Sequence, residues 1–97
     1  MIWNQSSIAD LLSEIGQNDS IHFTGAYSGV CYGDWGKVKF FPINDLQGNP
    51  VEIRLEFETT ILAEIAWNKM SDTLTNPYEF YMRSDVLPNI VMVQFTE

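Results

Sequence analysis

Ninety-seven residues, 45% of them apolar and 13% aromatic, hold enough buriable surface to offset chain entropy in one domain, 1–97, and leave no room for two independent cores. Thirteen acids against five bases give a net charge of −8, a field that repels duplex DNA or RNA and excludes direct nucleic-acid binding. No apolar run approaches the roughly 20 residues that cross a bilayer, and one cysteine supplies neither an internal disulfide nor a multi-cysteine metal site.

The first predicted element is a helix over residues 7–15. Ser7-Ile8-Ala9-Asp10 has the spacing of an N-terminal capping box, with a hydroxyl at the cap and a carboxylate three residues on. Ile8, Leu11, Leu12 and Ile15 recur at helical spacing, Asp10 and Glu14 face water, and Gly16 supplies a left-handed stop.

Residues 20–27 alternate, with Ile21, Phe23 and Tyr27 on one face and His22, Thr24 and Ala26 on the other, which predicts a half-buried strand. Residues 28–36 follow, with Gly29, Gly33 and Gly36 interleaved among large side chains. The expectation there is a loop or distorted hairpin, irregular along part of its length.

Two further alternating strands, 37–41 and 51–58, are joined by the turn-rich Asn44-Asp45-Leu46-Gln47-Gly48-Asn49-Pro50. Charge sets their register. With Ile43 opposite Glu52, Phe41 meets Arg54, Lys39 meets Glu56, Lys37 meets Glu58, and Phe40 meets Leu55. A slip of one residue puts lysines against apolar partners, and a slip of two puts Lys39 against Arg54.

Ile61, Leu62, Ile65, Ala66 and Met70 suit a second helix over about 61–71, started by Thr59 or Thr60, although Ile61, Ala63, Ile65 and Trp67 also alternate as a strand would. Residues 73–77 read as a breaker. A closing hairpin is predicted from strands 78–84 and 90–95 around a turn at 85–89, with Phe80, Met82, Val91, Val93 and Phe95 on its inner face. The order α-β-β-β-α-β-β gives an α+β class: a small, mainly antiparallel sheet of about five strands with one or two helices packed on one face.

Few residues here suit chemistry. Cys31, His22 and Asp34 are the only set able to supply nucleophile, base and orienting acid, and no family signature surrounds them. A metal site lacks ligands, and no cofactor is expected, since Gly25, Gly29, Gly33 and Gly36 fit neither dinucleotide nor P-loop spacing. Glu52, Glu56, Glu58 and Glu64 read as a solvated face.

The binding reading rests on the aromatic loop and the acids near it. Tyr27, Tyr32 and Trp35, with Asp34, are candidate anchors, joined by Asp10, Glu14 and Asp19 from the base-free first third of the chain. The alternative is that the rings fold back to cap the sheet.

In size and charge the chain is similar to bacterial immunity proteins and phage anti-defence proteins, anti-CRISPR proteins among them, a likeness of style carried by no motif. It implies a non-catalytic protein-binding inhibitor that sets carboxylates against a basic surface of a nucleic-acid-handling or toxic enzyme. The other reading is a structural or adaptor subunit that acts as a homodimer or hetero-oligomer. Residues Met1 to Ser7 lack the basic and apolar stretches of a secretory signal, so a cytoplasmic setting is expected.

Overall fold

The computed structural model describes residues 3–73, 78–83 and 87–95. Its elements run α1 (Gln5–Glu14), β1 (Ser20–Phe23), β2 (Gly29–Gly33), β3 (Gly36–Asn44), β4 (Pro50–Glu56), α2 (Thr60–Thr73), β5 (Tyr78–Arg83) and β6 (Leu87–Phe95). The six strands form one open antiparallel sheet in the order β1-β2-β3-β4-β6-β5. The α+β class stands, with one strand more than expected.

That extra strand is β2, inside the stretch expected from its glycines to be a loop or a distorted hairpin; the hairpin is what forms, with β2 paired to β3 from Gly29 to Gly33. Gly29 and Gly33 are there for closeness instead of curvature. A Cβ on Gly29 would strike the His22 carbonyl oxygen and lie 2.8 Å from the Phe40 ring, and one on Gly33 would strike the Gly16 carbonyl. Strand β1 correspondingly ends at Phe23, where Thr24 N–H donates to the Ser28 carbonyl (2.9 Å) and closes a short turn. A second tight turn at Asp34-Trp35 leads into β3 through Gly36, whose φ of +75° favours glycine.

Helix α1 starts one turn before the predicted box. Asn4 is the N-cap: its Oδ1 accepts the Ser7 N–H (2.9 Å) while Ser7 Oγ accepts the Asn4 N–H (3.0 Å). Ser7 is therefore the reciprocating residue, not the cap, and Asp10 lies in the helix body. At the other end Gly16 (φ +85°) donates to Ser13 and Gln17 N–H donates to Leu12 (2.7 Å), the two bonds of a Schellman motif. Helix α2 begins where expected, with Thr59 Oγ1 accepting the Leu62 N–H at 3.1 Å.

The β3–β4 register is the one charge selects: Lys39 opposite Glu56, Phe40 opposite Leu55, Phe41 opposite Arg54 and Ile43 opposite Glu52. The ion pair is another matter. Glu56 lies 3.6 Å from Arg54, two residues away on its own strand, so opposite charges aligned the strands without Lys39 and Glu56 themselves joining. The turn between them is built on Asp45, whose Oδ1 accepts the N–H groups of Gln47 and Asn49.

One face of the sheet and both helices share a single core. Ile8, Leu11, Leu12 and Ile15 from α1 and Ala63, Ala66 and Met70 from α2 pack with Cys31, Val38, Phe40, Ile53, Leu55, Val91 and Val93. Phe80, Met82 and Phe95 line the same face, as read from their alternation. Trp3, 2% exposed, pins the start of the chain against Phe95 with ring centroids 3.9 Å apart. Of the breaker expected over 73–77, Thr73 closes α2 and 74–77 lie outside the described residues. Residues 84–86, which include the first two of the turn expected at 85–89, lie outside them too, while 87–89 belong to β6, which starts earlier than the alternation indicated. Among those described, no helix is long and apolar enough to cross a membrane.

The helix-free face carries Lys37, Lys39, Arg54, Glu52 and Glu56, placed there by strand alternation. Beneath them Ile90 and Met92 are almost wholly buried, 1% and 2% exposed, although they belong to this outer face. Their cross-strand neighbours on β4 are Glu56 and Arg54, whose aliphatic stems suit this cover. Arg54 also lies over the Phe41 ring at 5.6 Å.

Candidate functional site

Buried Gln17 organises the junction where α1 meets the β2–β3 hairpin. It is 0% exposed, and a polar side chain there must satisfy both ends of its amide. Its Oε1 accepts the Trp35 N–H (2.7 Å) and its Nε2 donates to the Gly36 carbonyl (2.9 Å). Trp35 returns a bond to the helix end, its Nε1 donating to the Ile15 carbonyl at 2.7 Å. Asp34 N–H donates to the Gly16 carbonyl (2.8 Å), which seats the hairpin on the carbonyl-rich end of α1.

The candidate rings are thus divided. Trp35 is half-buried with both N–H groups bonded inward and its ring under Lys69 Nζ at 5.6 Å, and Tyr27 is half-buried against the core. Both rings cap the fold. Tyr32 is exposed on the helix-free face, opposite Lys37 and Ser20.

The acids gather more than the rings do. Asp10, Glu14, Asp19 and Asp34 are all exposed. The Asp34 carboxylate fills the space beside Gly16, two residues from Glu14, while the Asp19 N–H donates to the Tyr32 carbonyl at 3.0 Å. Burial, and then the charges of Glu14 and Asp10, push the Tyr78 hydroxyl pKa above its ordinary value, so these two acids face the start of β5. Glu64 and Asp72 extend the acidity along α2, and both are exposed. On the two helices and the turns holding Asp19 and Asp34, six carboxylates stand against Lys69 alone, and Lys69 is placed over Trp35.

Reading the glutamates as one solvated face needs correction, because the fold separates them. Glu52 accepts hydrogen bonds from Tyr81 and Gln94 on the helix-free face. Glu58 accepts the Lys37 N–H, whereas Glu64 lies on α2 and lines a groove with Trp67, Asn68 and Met82.

Cys31 and His22 project from opposite faces of the sheet, since Cys31 pairs with Ile21 on the core side and His22 with Val30 on the other. They make no nucleophile and base pair. The thiol donates to the Val38 carbonyl (3.4 Å), and desolvation pushes its pKa up to about 11 despite the opposing Gln17 amide, so it stays protonated at neutral pH. His22 bonds Ser20 Oγ at 2.6 Å. Among the described residues no three of His, Cys, Asp and Glu converge as metal ligands.

Gln17 carried no sequence signal, because a single polar residue after a helix stop reads as loop. The groove on α2 was equally silent: Met82 was legible as an inner-face residue of the closing hairpin, but nothing in the sequence set that strand beside Glu64, Trp67 and Asn68. No family model, no curated protein and no solved structure matches this chain.

Proposed function

We propose that this chain is a non-catalytic, acidic inhibitor that acts in the cytoplasm by binding a protein partner, occupying a basic surface of a nucleic-acid-handling or toxic enzyme. The observation that carries the reading is the segregation of charge. The helical side presents Asp10, Glu14, Asp19, Asp34, Glu64 and Asp72, while three of the five bases, Lys37, Lys39 and Arg54, lie on the opposite face of the sheet. A one-signed face steers encounter with a Lys/Arg-lined channel and speeds association at low salt.

Asp34 and Glu14 add to this reading. Both lie at the C-terminal end of α1, where the helix dipole disfavours negative charge, with no basic residue in that turn. Carboxylates kept at a locally unfavourable place fit a surface selected for contact rather than for stability.

The test starts with capture of a partner from host lysate at low salt and proceeds to association rates across an ionic-strength series. A quadruple variant, Asp10→Asn, Glu14→Gln, Asp19→Asn, Asp34→Asn, is expected to associate at least about tenfold more slowly at low salt and to lose inhibition of the partner's activity. Association that ignores both salt and these substitutions would sink the proposal. The adaptor reading draws on Ile61 and Ile65, 69% and 47% exposed on α2. Sedimentation resolving a stable dimer that Ile61→Ser abolishes would favour it.

A further inference from the structure

Between α2 and β5 runs a groove of about 330 Å³ lined by Glu64, Trp67, Asn68 and Met82. The geometry points to this groove as a receptor for one arginine side chain of a protein partner. Glu64, Trp67 and Asn68 stand at i, i+3 and i+4 and so share one flank of the helix, and Met82 closes the far wall from the edge of the sheet. The four groups offer a carboxylate, an indole π surface, a side-chain amide oxygen and a thioether, each of which suits a planar cation.

Trp67 is held for this role. Its Nε1 donates to the Phe80 carbonyl on β5 at 3.1 Å, which satisfies the indole N–H and fixes the ring against the strand. Trp67 is half-buried against the core and lines the groove, so the part of its indole that reaches the groove offers the best of the aromatic surfaces for a cation. The Glu64 carboxylate accepts two parallel N–H bonds from a guanidinium and only one at a time from a lysine ammonium. An anionic ligand is repelled by Glu64 and by the −8 charge of the chain. A second copy of the chain carries the same −8 charge, which opposes its approach to this groove.

That the guanidinium belongs to a protein rests on the partner reading above; the preference for arginine rests on the groove alone. The probe is N-acetyl-arginine methylamide, titrated into the full chain while the Trp67 indole N–H is followed by 1H-15N NMR. Its lysine and citrulline counterparts serve as controls for charge and for shape. Saturable shifts centred on Trp67 and Asn68 are expected, about fivefold weaker binding for lysine, and loss of saturation for citrulline and in Glu64→Gln. Glu64 is exposed, so this variant leaves the core untouched.

Equal shifts from all three probes, shifts spread over every acidic residue, or binding unchanged in Glu64→Gln would each overturn the inference. Glu14→Gln with Asp34→Asn is expected to leave the groove titration unaltered. An arginine-blind groove combined with partner binding that still depends on Glu14 and Asp34 would end this inference and spare the inhibitor reading. The reverse pattern would end that reading and keep the groove.

Discussion

Gln17 Oε1 accepts the backbone N–H of Trp35 at 2.7 Å from a side chain wholly shielded from solvent. The same amide donates to Gly36, so one residue satisfies both sides of the β2–β3 turn and ties it to the end of α1. Replacing it with Leu keeps bulk but strands a donor and an acceptor inside the protein. Such groups cost about 1–3 kcal/mol each. Gln17→Leu is therefore expected to lower unfolding free energy by about 2–4 kcal/mol in urea titrations. A loss below about 0.5 kcal/mol would mean that water reaches the turn and that Gln17 does not organise it.

Gly29 and Gly48 separate two reasons for a glycine. At Gly48 the backbone has φ +85° but a Cβ would meet nothing within 4 Å, so Gly48→Ala is expected to cost about 1 kcal/mol from backbone strain alone. At Gly29 an added Cβ strikes the His22 carbonyl, and β1 must move away from β2 to make room. Gly29→Ala is expected to cost about 3 kcal/mol or more. Comparable midpoint shifts for the two variants in thermal melts would show that the β1–β2 approach is looser than the backbone indicates.

The contrast also explains what was legible in the sequence. Lys39, Glu56, Phe41 and Arg54 announced their register because alternation and charge act between strands joined by one short turn. Gly29 and Gly33 left loop and hairpin open because a glycine required by close packing and one required by a turn look alike in one dimension. The true N-cap, Asn4, was masked by Ser7, which has the chemistry of a cap but serves as its partner. Four of the six acids of the candidate site, Asp10, Glu14, Asp19 and Asp34, were legible as a composition bias in the first 36 residues, whereas Glu64 and Asp72 join them only through the placement of α2. The inward bonding of Trp35 was not, since Ile15 and Gln17 lie 20 and 18 residues away from it.

Asn4 gives a direct check on that reassignment. Its side chain caps α1 at an exposed site, where loss of the capping oxygen costs about 1 kcal/mol. Asn4→Ala is expected to destabilise by that amount, while Asn4→Ser retains most of the stability. If Ser7→Ala proves the far more damaging of the two alanine variants in denaturant titrations, the cap belongs at Ser7 after all.

The thiol of Cys31 supplies a pH prediction. Its pKa is about 11 in the folded protein against an ordinary value of 9.0, so the unfolded chain releases the proton first as pH rises. The contribution to stability is complete below about pH 9 and is lost progressively as pH passes from there through 11. The advantage of the wild-type protein over Cys31→Ala should shrink by about 2–3 kcal/mol across that window. Using the difference between the two proteins cancels the titration of lysines and tyrosines. In the same range, thiol-specific labelling of native protein should run no faster than unfolding. Rapid labelling at pH 8 would place the sulfur in contact with solvent and reopen its chemistry.

Glu14 and Asp34 connect stability to the proposed contact surface. Both stand at the negative end of α1, where a carboxylate costs a few tenths of a kcal/mol to about 1 kcal/mol at low ionic strength. Glu14→Gln combined with Asp34→Asn is expected to raise the melting temperature in dilute buffer, with the gain fading as salt screens the dipole. The same pair should slow association with a basic partner. Opposite signs for stability and binding are what a surface shaped for recognition produces, because the field that attracts the partner is the one that strains the free protein. If neutralisation leaves the melting temperature unchanged at low salt, the two carboxylates are too well solvated to feel the helix end. They would then be weak emitters of the field on which the inhibitor reading depends.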